Sequence, residues 1–64
     1  MKHSPGTVVM IPTGQAGTIL ENNGQVSVLL QNNDIWHGKD AECWEPTSPE
    51  ELAAAKLNFD RFKK

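Results

Sequence analysis

Residues 6–30, GTVVMIPTGQAGTILENNGQVSVLL, read as three strands joined by two tight turns. The segment 7–11 is apolar and rich in β-branched residues, a composition that suits a pleated, half-buried surface. Pro12-Thr13-Gly14-Gln15 carries the residues of a turn, and a second strand is expected over 17–22. Asn23-Gly24 follows. Both residues tolerate positive φ, so the pair predicts a two-residue type I′ hairpin. A third strand is expected over 25–31, with Val26, Val28 and Leu30 alternating onto one face and Ser27 and Leu29 onto the other.

Working outward, residues 1–6 form a polar lead-in ending in Pro5-Gly6. Downstream, Asn32-Asn33-Asp34 predicts a turn, 35–37 a short fourth strand, Gly38-Lys39-Asp40 another turn and 42–45 a fifth strand that Pro46 stops. The period then changes. Ser48 is placed as an N-cap, Pro49 at the first helical position and Glu51 three residues after the cap, the pattern of a capping box. Glu50 and Glu51 suit the positive end of the helix dipole, and Arg61, Lys63 and Lys64 suit the negative end. Leu52, Ala55, Phe59 and Phe62 recur on one face of this helix over 48–63, while Leu57 lies off the stripe.

The chain of 64 residues holds one domain, and a core this small leaves a narrow stability margin, about 3–5 kcal/mol. Cys43 is the single cysteine, which excludes an internal disulfide and suits a reducing compartment. No stretch has the apolar length of a secretory signal or a membrane span, so a cytoplasmic protein without membrane association is expected. Charge is unevenly spread. Residues 1–46 carry two lysines against five carboxylates, whereas Lys56, Arg61, Lys63 and Lys64 make the C-terminal segment basic. Phosphate recognition needs clustered cations, and the first 46 residues lack them.

Val8, Val9, Ile11, Gly14, Gly17, Ile19, Val26 and Val28 carry a pattern that resembles the KOW-type motif of small SH3-like β-barrels. It consists of an apolar strand, a glycine turn, a Gly-Thr-apolar strand opening and a hairpin. DIWHGKDAECWEP, residues 34–46, is similar to the closing strands of such barrels. The resemblance spans 6–46 and implies a mainly β fold: a small barrel of about five antiparallel strands, to which the C-terminal helix is an addition. It further implies contact with RNA or with protein, since KOW-type barrels occur in ribosomal proteins and elongation factors and similar barrels serve as subunits of larger complexes. RNA-binding members carry basic loops, and the acidic strands here depart from them.

The candidate sites follow from residue chemistry. A phosphate cradle at Gly14 and Gly17 would need a helix N-terminus and a lysine. Instead a strand follows and no lysine lies between Lys2 and Lys39. Gly14 is therefore expected to supply a positive-φ turn, and Gly17 a bulge or a close strand approach. Trp36, His37 and Trp44 would make an aromatic platform at one barrel edge, or close the core. Alternation gives Ile35 and His37 one face and Trp36 the other, so that an inward Ile35 would turn Trp36 outward. His37, Asp40 and Cys43, with His3, are metal-ligating types without the spacing of a zinc site. Neither a metal nor another cofactor is expected, and no nucleophile, base and oxyanion donor assemble into a catalytic set.

The function expected is a non-catalytic interaction module or accessory subunit. Its protein partner would be a different chain or a second copy, engaged through Trp36, His37 and Trp44 or through Leu57, Phe59 and Phe62 on the helix. The alternative is an RNA- or ribosome-associated binder using Arg61, Lys63 and Lys64, the one basic cluster.

Overall fold

The computed structural model describes residues 3–63. Four strands, β1 (Val8–Met10), β2 (Ala16–Asn22), β3 (Gln25–Leu30) and β4 (Ile35–Lys39), form one antiparallel sheet in the order β1-β2-β3-β4. A 3₁₀ turn over Asp40–Glu42 and one helix, α1 (Pro49–Lys63), are the remaining elements among the described residues. The fold is therefore strand-rich, with a C-terminal helix.

The two faces of the sheet have different fates. Val9, Ile11, Ile19, Val26, Val28 and Leu30 meet on the inner face and exclude water, and Cys43 joins them. Val8, Ala16 and Ala55 form a second apolar cluster where α1 lies on the outer face, flanked by Met10 and Leu52. The third strand thus alternates as its sequence predicts, except that Leu29 on the outer face is buried as well.

Register explains how α1 is seated. Val8 pairs with Thr18, Thr18 with Leu29 and Leu29 with Ile35, giving one cross-strand row on the outer face. Thr18 Oγ1 donates to the Ala55 carbonyl at 3.4 Å, and Asn58 Nδ2 to the Leu30 carbonyl at 3.1 Å. The helix accordingly runs from β1 across β2 towards β3. Exposure along the row is 4 % at Val8, 1 % at Thr18, 2 % at Leu29 and 46 % at Ile35. Ser48 caps the helix as its sequence predicts, its Oγ accepting the Glu51 N–H at 3.4 Å.

Gly14 turns the chain with φ +87°, and Gly17 serves close approach. A Cβ at Gly17 would stand 2.6 Å from both the Leu29 carbonyl oxygen and Val28 Cγ1. The bulge in β2 falls elsewhere, between Ile19 and Glu21. The hairpin at Asn23-Gly24 forms, but not as type I′: Gly24 has φ +103° while Asn23 does not enter the positive region. Side-chain caps account for this. Asn22 Oδ1 accepts the Gly24 N–H at 2.9 Å, and Asn23 Oδ1 the Gln25 N–H at 3.2 Å.

The expected fifth strand over 42–45 reduces to one bridge, in which Met10 and Trp44 exchange both backbone hydrogen bonds. Neither neighbouring hydrogen-bonded pair can form completely. Continuing the register would set Val8 against Pro46 and Pro12 against Glu42, and proline has no N–H to donate. Asp40–Glu42 closes into its 3₁₀ turn instead, with Glu42 Oε1 accepting the Lys39 N–H at 2.9 Å.

Candidate interaction surface

Trp36 pairs with Val28 on the inner face, and its indole packs against the core cluster. The inward residue of β4 is thus Trp36, and Ile35 turns outward, the reverse of the arrangement with Ile35 inside. Gly38, two residues on, makes room for this: a Cβ there would run into the Trp36 six-membered ring. His37 is exposed on the outer face, its Nδ1 3.2 Å from Ser27 Oγ. Trp44 belongs to the opposite end of the strand order, beside β1, and shares the face of Met10, which it opposes. Its side chain is half exposed. Trp36 and Trp44 therefore occupy separate places.

On α1, Leu52 and Ala55 face the sheet and Phe59 is half-buried with Lys63 Nζ 5.3 Å from its ring centre. Leu57 and Phe62 are exposed. Phe62 follows the sheet-facing stripe but lies one turn beyond the helix's hydrogen bond to Leu30, past the covered part of the row. Arg61 and Lys63 are exposed in the last turn, and Lys64 lies outside the described residues.

A groove of about 360 Å³ runs between β1 and the first turns of α1, lined by residues that include Gly6, Val8, Pro46, Leu52 and Lys56. It opens where Pro46 ends the pairing along β1. The proline at 46 was the sequence signal for it, since the ladder cannot pass that position.

Polar groups are placed for stability. Asp40 Oδ1 lies 3.0 Å from His3 Nδ1, 3.2 Å from the His3 N–H and 2.9 Å from Asn22 Nδ2. All three residues are buried, and Asn22 Nδ2 also donates to the His3 carbonyl. The node fastens the lead-in to the end of β2 and to the 3₁₀ turn, a tertiary lock that the polar segment 1–6 did not foretell. Cys43 is buried with its thiol 3.8 Å from the Lys39 carbonyl. Burial pushes its pKa up, and the charges of Asp40 and Glu42 add to that. His37 and Cys43 are thus on opposite faces, and among the described residues no group of three His, Cys, Asp or Glu side chains could hold a metal ion. No helix among the described residues is long and apolar enough to cross a membrane.

No protein-family model, no curated protein and no solved structure matches this chain.

Proposed function

We propose that the protein is a non-catalytic interaction module, a small SH3-like barrel that serves as an accessory subunit of another protein. The observation that carries this reading is apolar area left in water after the core is complete. Trp44 is 45 % exposed, Leu57 54 % and Phe62 50 %, in a chain whose sheet is buried on its inner face and covered by α1 over the β1–β2 side of its outer face. Two features support the barrel. β4, a turn and a return of the chain to β1 follow one another as the resemblance implies, and the Met10–Trp44 bridge lies where a fifth strand would close the sheet. The acidic character of residues 1–46 favours a protein partner over nucleic acid.

The test is affinity capture from the native host with the full chain, alongside Trp44→Ala, Leu57→Asp and Phe62→Asp. Retention of a specific protein that at least one variant loses is the expected result. Capture of nothing beyond what all three variants also retain refutes the reading. A parallel titration with generic RNA separates the alternative. Tight binding that collapses with added salt, and that vanishes when Arg61, Lys63 and Lys64 are neutralised, would make the protein an RNA binder instead.

A further inference from the structure

The free edge of β4 has a definite chemistry. Leu30 N–H donates to the Asp34 carbonyl at 2.8 Å and Asp40 N–H to the Gly24 carbonyl at 3.2 Å. With the register between them, these bonds fix the alternation: Asp34, Trp36 and Gly38 turn their backbone groups to β3, and Ile35, His37 and Lys39 turn theirs away. The Lys39 N–H is taken by Glu42. Among the described residues no hydrogen bond reaches the N–H or C=O of Ile35 or His37, and both residues are exposed. A strand edge of this kind is a template for another strand.

We infer that this edge pairs with the same edge of a second copy, joining two sheets through an antiparallel β4–β4 contact about a two-fold axis at Trp36. Three observations select this occupant. First, an antiparallel register that sets Ile35 opposite the second copy's His37 uses all four free backbone groups of each strand and none that is already occupied. Second, antiparallel pairing keeps the two Lys39 side chains at opposite ends of the contact, while parallel pairing would set lysine beside lysine. Third, the contact covers what the single chain leaves open: Ile35, the exposed end of the outer row, and the uncovered part of Trp36, which meets its counterpart across the axis on the other face.

The inference goes beyond the module reading and needs no other partner. Sedimentation across a wide concentration range measures it, on the full chain and on His37→Pro. The His37 N–H points away from β3, so proline there spares the native ladder and removes two of the four new hydrogen bonds. The expected result is a mass approaching twice 7.1 kDa as concentration rises, with near-UV circular dichroism changing as the Trp36 pair forms. His37→Pro should weaken association roughly tenfold or more. Ile35→Lys, at a position already exposed, should do the same and decides the matter if the proline variant does not fold. A monomer at every concentration overturns the inference, as does a dimer that neither substitution weakens. If His37→Pro is monomeric yet still captures a host protein, both readings stand. If it dimerises normally while capture depends on Trp44 or Phe62, only this inference fails.

Discussion

Gly38 and Cys43 show how single side chains fix what their neighbours do. Trp36 lies over Gly38, so any Cβ there collides with the indole that caps the inner core. Gly38→Ala should cost roughly 1–3 kcal/mol, the range of an overpacked core, and should alter Trp36 emission in the folded state. Urea unfolding followed by fluorescence measures both. Gly14 presents the opposite case, since its φ of +87° demands glycine while nothing stands within 4 Å of the missing Cβ. Cys43 links burial to pH. Its thiol pKa is raised, first by burial and then by the charges of Asp40 and Glu42. Below the ordinary thiol value of 9.0 both folded and unfolded chains keep the proton. As pH rises through that value the unfolded chain releases its proton first, so stability falls with increasing pH until the folded thiol also ionises. Compared with Cys43→Val, the native chain should therefore lose more stability between neutral pH and the alkaline range, as read by urea midpoints. Neither role was visible in the residues alone. In the sequence they read as a lone cysteine and a turn residue, and only their tertiary neighbours make them a buried thiol and a seat for an indole.

At the scale of elements, strand and helix identities were legible because they rest on local patterns. Alternation in 25–30 and the Ser48-Pro49 start are short-range signals: the strand forms with Leu29 buried as well, and Ser48 caps the helix by accepting the Glu51 N–H. The fifth strand is the instructive departure. Residues 42–45 are adequate strand formers, but pairing requires N–H groups on both sides of the Met10–Trp44 bridge, and Pro12 and Pro46 remove them. Pro46→Val restores a donor opposite Val8. The Val8 amide, which points to this open side, should then exchange with solvent more slowly than in the native chain, as monitored by residue-resolved hydrogen exchange. Unchanged exchange at Val8 would mean that the proline is not what halts the ladder. The hairpin teaches the same lesson at smaller size. Asn23-Gly24 marked the turn correctly, but the conformation was chosen by the Asn22 and Asn23 side chains, which accept the following N–H groups.

For the whole molecule, the helix and the buried polar node decide which surfaces remain for partners. α1 covers three residues of the outer cross-strand row and stops short of Ile35, because its own path, set by Ala55 on Thr18 and Asn58 on Leu30, crosses the sheet obliquely. His3, Asn22 and Asp40 close the other end, joining residues far apart in the chain around one carboxylate oxygen. The residues singled out as partner-binding consequently divide. Trp36 and His37 belong to the β4 edge, Trp44 stands beside β1, and Leu57, Phe59 and Phe62 sit on a helix. By itself the sequence determined the first four strands along the chain, the turns at 12–15, 23–24 and 32–34, the helix and its cap, and the acidic and basic segments, since each depends on residues within a few positions of one another, whereas the turn expected at 38–40 begins only after Lys39. Only the tertiary structure decided which face of β4 turns inward, where pairing along β1 ends, what buries Cys43 and His3, and which apolar side chains stay in water. Those outcomes depend on register and packing between segments distant in sequence, where a shift of one residue reverses every side chain and no local pattern records the choice.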